Sequence, residues 1–192
     1  KAPGFLLHSM SATAEYLGLA GWKNYTTTSQ GARFHVAAYE LDSGRMLALI
    51  QANRLGQLRT GAASGVATRH LARPDANVLG LLGTGWQAES QLEAVASVRP
   101  LEAVRVHSRD PERRRGFAEA MSQRLQLDVQ AVDSAEAAVD GADIVSTATT
   151  SKAPLFEGQL LMPGSHLNII GSNHLSKAES DVESIASADL VV

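Results

Sequence analysis

Hydrophobic and polar positions follow two textures along this chain. In the first, apolar residues alternate with others: Phe34, Val36 and Ala38 interleave with Arg33, His35 and Ala37, and a second apolar run covers Met46 to Ile50. Asp42-Ser43-Gly44 between them is a turn signal, so 33–50 is predicted as a β-hairpin. A further strand is expected over Leu19 to Tyr25. Residues 54–72 then change period. At about 100° per residue, Leu55, Leu58, Ala62, Val66 and His70 share one stripe, the pattern of an amphipathic helix with that face inward. Arg59 falls inside the same stripe. An arginine buried there without a partner would cost several kcal/mol, so it must snorkel to the rim or meet an anion.

From Asn77 onward the texture is regular β/α alternation. Strands are expected at Val78–Leu82, Ala103–His107, Asp128–Val132, Asp143–Ala148, His166–Ile170 and Asp189–Val192. Helical patterns separate the first four. One covers Trp86 to Val98, with Ala88, Leu92, Val95 and Ala96 inward. The next starts at Asp110-Pro111 as N-cap and first helical residue, with Phe117, Ala118, Met121 and Leu125 inward. A short third runs from the Ser134 cap to Gly141. Apolar strands between amphipathic helices predict an α/β chain: a doubly wound parallel sheet covered on both faces, of the Rossmann type, preceded by a strand-rich segment.

The strand Val78–Leu82 runs directly into Gly83-Thr84-Gly85-Trp86-Gln87-Ala88, a G-x-G-x-x-A turn at a strand–helix join. Gly83 suits the tight turn, Gly85 leaves room for a pyrophosphate, and Ala88 lets the helix pack close. The helix N-terminus supplies N–H groups and partial positive charge. With repeated β/α units around it, the turn predicts a dinucleotide site. The second strand ends in His107-Ser108-Arg109, where an NAD-selective site usually carries a carboxylate. Ser108 and Arg109 suit a 2′-phosphate instead, favouring NADP(H) over NAD(H), unless Arg109 simply points into solvent. Thr147, Ala148, Thr149 and Ser151 follow the fourth strand. Their hydroxyls either face the nicotinamide ribose or make a local Ser/Thr turn.

Composition narrows the chemistry. The 192 residues are 44% hydrophobic, which excludes wholesale disorder, and the net charge of −3 offers no basic stripe for nucleic acid. No apolar run reaches the roughly 20 residues that cross a bilayer, so no membrane partner is expected. The absence of cysteine removes disulfides, thiolate metal sites and thiol nucleophiles, and fits a reducing, cytoplasmic setting. The six histidines form no H-x-x-x-H or H-E-x-x-H, so no metal site is expected. There is no G-x-S-x-G and no Walker A sequence. Lys1-Ala2-Pro3-Gly4 lacks an initiator methionine, and the chain is expected to open mid-protein.

Several segments resemble the ornithine cyclodeaminase/μ-crystallin family. They are Gly21-Trp22-Lys23, Leu58-Arg59-Thr60-Gly61-Ala62-Ala63-Ser64-Gly65, Leu71-Ala72-Arg73, Gly80 to Ala88, Gly141-Ala142-Asp143-Ile144-Val145, Thr147-Ala148-Thr149, and Pro163-Gly164-Ser165-His166 leading to Gly171-Ser172-Asn173-His174. The resemblance implies a Rossmann domain, over 73–192, joined to part of a second α+β domain for substrate binding and dimerisation, over 1–72, with a homodimer and a small amino- or imino-acid substrate. It implies that Arg59 holds the substrate carboxylate, which a guanidinium fork fits, and that Lys23 sits at the carboxylate or imine. Where cyclodeaminases carry a proton-exchanging Asp, this chain has Asn173, and an amide cannot do that work. Hydride exchange at a Cα–N bond is therefore expected ahead of cyclodeamination of ornithine, with Lys23 handling the proton and His174 a substitute. A non-catalytic, crystallin-like NADPH binder is the remaining reading.

Overall fold

A computed structural model describes residues 3–172 and 174–192; Asn173 therefore lies outside the described residues. The chain divides into two compact units, Lys1–Leu58 and Arg59–Val192.

The first unit is an antiparallel meander of β1 (Leu6–Ala14), β2 (Leu19–Thr28), β3 (Gly31–Glu40) and β4 (Met46–Gln51), in that order. The predicted hairpin is β3–β4; β1 has no counterpart in the sequence reading. Cross-strand pairing puts His8 opposite Tyr25 and Tyr25 opposite Phe34. Their rings stack at 4.2 and 4.8 Å between centroids. Such directly opposed aromatics fix register as well as adding contact. The Asn53 side-chain oxygen accepts the Phe34 N–H at 2.8 Å, tying the next helix to β3.

Helix α1 (Asn53–Leu71) continues into the second unit. Its expected inner stripe is not the buried one. Leu55, Leu58 and Val66 are exposed, whereas Gln57, Gly61, Ser64, Gly65 and Thr68 are buried. Close backbone approach explains the reversal: a Cβ on Gly61 would lie 2.3 Å from the Ser90 carbonyl oxygen of the neighbouring helix. That contact selects for small residues rather than large apolar ones.

The second unit holds β5 (Val78–Leu82), α2 (Trp86–Val98), β6 (Ala103–His107), α3 (Pro111–Leu125), β7 (Val129–Ala131), α4 (Ala135–Val139), β8 (Ile144–Thr147), β9 (His166–Ile169) and α5 (Val182–Ala186). The sheet is parallel, ordered β7-β6-β5-β8-β9. The order reverses between β5 and β8, so their carboxyl ends flank the crevice where such sheets bind ligands. Leu79, Leu81, Val104, Val106 and Ile144 pack with Ala88, Leu92 and Val95 of α2 and with Phe117, Ala118 and Met121 of α3. Leu82 and Val145 pack on the other face with Ala138, Val139 and Phe156. Burying each of these large apolar side chains between sheet and helices contributes about 1.5–3 kcal/mol.

One expected strand is not formed among the described residues: Asp189–Val192 is exposed and joins no sheet there. Four residues carry too little of an apolar pattern to specify a strand, and α5, capped by Asp181, lies just before them. Among the described residues no helix is long and apolar enough to cross a membrane.

Candidate dinucleotide-binding site

A cleft of about 1430 Å³ opens at the carboxyl ends of the second unit's strands. The turn after β5 forms its floor. Gly83 has φ +115°, and a Cβ there would lie 2.5 Å from the Ala148 carbonyl oxygen. Its N–H donates to the His107 carbonyl at 2.8 Å, which joins the ends of β5 and β6. Gly85 differs: it has φ −88°, and a Cβ would meet nothing within 4 Å. Among the described residues no atom explains why that position lacks a side chain. Ala88 is fully buried against the sheet, the close packing expected of it.

Gly85 is also the N-cap of α2 and, lacking a side chain, makes no side-chain capping bond to it. That end, with its partial positive charge, lines the cleft through Gly85, Trp86 and Gln87. The Thr84 hydroxyl donates to Ser108 Oγ at 3.0 Å, bracing the turn against the end of β6. Arg109 and Arg113, both exposed, line the same end of the cleft. The acid there, Asp110, is committed as the cap of α3, accepting the N–H groups of Glu112 and Arg113 at 3.0 and 3.1 Å. Arg59, Lys152 and Lys177 also line the cleft, so its charge is predominantly positive. The Arg59 guanidinium makes no hydrogen bond or ion pair among the described residues.

The loop after β8 divides its hydroxyls. Thr147 is fully buried, and its hydroxyl donates to Glu179 Oε2 at 2.9 Å rather than facing the cleft. Ala148 and Thr149 do line the cleft. Thr149 Oγ1 accepts the Ser151 N–H at 3.1 Å, and Ser151 Oγ donates to the Ala153 carbonyl at 2.6 Å, which makes the local turn that was one of two expectations. His174 is exposed, bonds Ser176 through Nδ1 at 3.0 Å, and is not among the lining residues.

Lys23 belongs to the first unit. It lies in β2 with its Nζ 5.5 Å from the Tyr25 ring centroid, a cation–π contact.

Two long-range contacts brace the amino ends of β5 and β8, at the opposite edge of the sheet from the cleft, and the sequence reading identified neither. Arg99, just after α2, donates to the carbonyls of Thr68, Arg69, Ala72 and Arg73 at 2.8 to 3.3 Å. It thereby caps the carboxyl end of α1, where helix carbonyls otherwise lack partners. Asp143, before β8, accepts the N–H groups of Asn77 and Val78 at 3.0 Å and pairs with Arg73. Burial alone would raise its pKa, but those donors and the guanidinium outweigh it and hold the carboxyl below its ordinary value.

A Rossmann strand order, a glycine turn after β5 and open space above Gly85 define a doubly wound α/β protein of the Rossmann type. The chain belongs to the ornithine cyclodeaminase/mu-crystallin family, whose model matches residues 7–192. It is 35% identical over 190 residues to a Δ1-pyrroline-2-carboxylate reductase of Bacillus cereus, covering 95% of this chain and 58% of that protein. Among solved structures, it matches the Thermococcus litoralis Δ1-pyrroline-2-carboxylate reductase in complex with NADH and L-proline. The TM-score there is 0.82 at 28% identity, covering 95% of this chain and 63% of that one. An archaeal alanine dehydrogenase dimer with bound NAD matches with TM-score 0.91 at 28% identity, covering 98% of this chain and 59% of that one. The chain thus spans less than two thirds of the length of these relatives.

Proposed function

We propose that this chain carries the cofactor-binding half, and part of the substrate domain, of an NAD(P)-dependent oxidoreductase acting at the Cα–N bond of a small amino or imino acid. The observation that carries the reading is that Arg59 lines the same cleft as the Gly83–Gln87 turn. An unpartnered guanidinium suits a carboxylate, and the turn suits a pyrophosphate. The residues fit such a cofactor: Gly85 leaves the space, α2 points its amino end there, and the cleft is cationic. A bound nicotinamide would supply or accept the hydride. Arg59 would fix the substrate's acid group, Lys23 would move or hold the proton, and Asn173 would donate or accept hydrogen bonds without proton exchange.

The reading takes residues 73–192 as the Rossmann domain and 1–72 as part of the substrate and dimerisation domain. It includes a cytoplasmic homodimer, supported by the dimeric alanine dehydrogenase relative and by exposed Leu47, Leu49 and Ile50 on β4. It also prefers NADP(H). Ser108, Arg109 and Arg113 line the end of the cleft beyond β6, and its acid Asp110 is occupied by capping. Arg109→Ala should weaken NADPH binding about tenfold or more, the loss of a charge-assisted hydrogen bond, while NADH stays within about twofold. Tighter binding of NADH by the unaltered protein would overturn the preference.

The reaction is tested by incubating the intact protein, with its complete substrate domain, with NADPH and a panel of cyclic imines, or keto acids with ammonia. Net NADPH oxidation is expected. Ammonia release from ornithine without net cofactor change would favour the cyclodeaminase reaction, and saturable NADPH binding with neither would favour a non-catalytic binder. Asn173, in place of a proton-exchanging carboxylate, is the feature that ranks the reductase first.

A further inference from the structure

The carboxylate of Glu179 has no part in the reading above, yet it is completely shielded from solvent. No cation pairs with it among the described residues. Both its oxygens are acceptors instead. Oε1 takes the Thr149 N–H, and Oε2 takes the Gly171 N–H and the Thr147 hydroxyl. Its own N–H donates to Ser172 Oγ at 3.0 Å, and its carbonyl accepts the Leu155 N–H at 3.0 Å, so the backbone around it is anchored too.

A buried carboxylate is costly unless donors replace its water. Here the donors come from two separate segments, one leaving β8 and one leaving β9. Those segments run side by side: a Cβ on Gly171 would lie 2.1 Å from the Thr149 carbonyl oxygen. Ala148, Thr149, Ile170 and Gly171 all line the cleft, whereas Glu179 does not. The carboxylate therefore sits behind a wall of the cleft and holds both backbone strips that build it. An apolar plug would fill the volume, but it would leave two backbone N–H groups unmet and their orientation unfixed.

We propose that Glu179 is a positioning residue, clamping the backbones of Thr149 and Gly171 so that this wall receives the nicotinamide half of the dinucleotide. The assignment rests on the dinucleotide reading above. In a parallel sheet of this order the β5/β6 side takes the adenosine half and the β8/β9 side takes the other, so the clamp acts on one half only.

The test uses that asymmetry. Glu179→Gln keeps the size, but its amide presents a donor to Thr149 N–H or to Gly171 N–H. Binding is measured by calorimetry for whichever dinucleotide the unaltered protein prefers, and for its adenosine half alone: 2′,5′-ADP for NADPH, ADP for NADH. The dinucleotide should bind about ten- to a hundredfold more weakly, the loss of one hydrogen bond to a charged group, with the fragment within about twofold. Hydrogen exchange at Thr149 and Gly171 should accelerate in the same variant. If the variant does not fold, Thr147→Val removes only the hydroxyl donor and should show the same selective weakening, smaller in size. Equal weakening of both ligands, or of neither, overturns the assignment while leaving the dinucleotide reading intact. An unaltered protein that binds neither ligand overturns both.

Discussion

Replacing the two glycines of the β5–α2 turn separates what the fold needs from what a ligand needs. Gly83 sits at φ +115°, and a methyl there would lie 2.5 Å from the Ala148 carbonyl oxygen. Gly83→Ala thus meets both a disfavoured backbone conformation and a clash with main chain that cannot swing aside. The strain alone costs about 1–3 kcal/mol, which in a chain of this size lowers Tm by about 2–12 °C. Gly85 has φ −88° and ψ 179°, an extended conformation open to alanine, with nothing within 4 Å of the added carbon. Alanine is a poorer N-cap than glycine, but it restricts the unfolded chain by about 0.4–1 kcal/mol, so the two effects nearly cancel. Gly85→Ala should leave Tm within about 2 °C of the unaltered protein. Its methyl instead fills the space into which a pyrophosphate would come. Overpacking of that kind costs about 1–3 kcal/mol, roughly a five- to 150-fold loss of NADPH affinity. Thermal unfolding followed by circular dichroism, with NADPH titrated by fluorescence, checks both halves. A Gly85→Ala protein that binds NADPH as well as the unaltered chain refutes the reasoning, because the empty space would then be incidental.

Asp143 should set part of the acid sensitivity. Its folded-state pKa is held below the ordinary 3.8, so its stabilisation is fully present above that value and is lost as pH falls through the folded pKa. Asp143→Asn should lose about 1–3 kcal/mol at neutral pH and show a flatter acid limb in urea unfolding midpoints measured against pH. An acid limb identical to the unaltered protein's would contradict this. Arg99→Met keeps much of the aliphatic stem but uncovers the four carbonyls closing α1, and should cost about 1–3 kcal/mol by urea denaturation. Arg99→Lys should recover only part of that, since an ammonium lacks the guanidinium fork.

The parallel sheet and the glycine turn were readable because their signals are local. Apolar strands alternate with 3.6-period helices, and a six-residue turn joins one to the next. The Asp110-Pro111 and Ser134 helix starts were legible for the same reason: a cap is a contact within three residues, and both side chains accept the expected N–H groups. Exposed Leu55, Leu58 and Val66 show where that locality fails. Periodicity reports which face of α1 is apolar, but the contact that decides its burial is made by Gly61 against Ser90, and a glycine carries no hydropathy signal.

The long-range supports of the fold escape the sequence for a second reason. Arg99 reaches back to residues 68–73, Asp143 to Asn77 and Val78, and Glu179 to Thr147 and Thr149; in each case the partners are mainly backbone atoms. A backbone N–H or carbonyl is the same at every residue, so neither residue type nor spacing marks it as a partner. The side chain that seeks it looks like any surface charge until the fold buries it. Thr147 follows from this. Its hydroxyl looked available for a ribose only while its acceptor, thirty-two residues away, was invisible. The residues that touch a ligand therefore carry sequence signals, because the ligand's chemistry constrains their type. Those that hold the touching residues in place are constrained by geometry alone, and they come into view only when the strands are laid side by side.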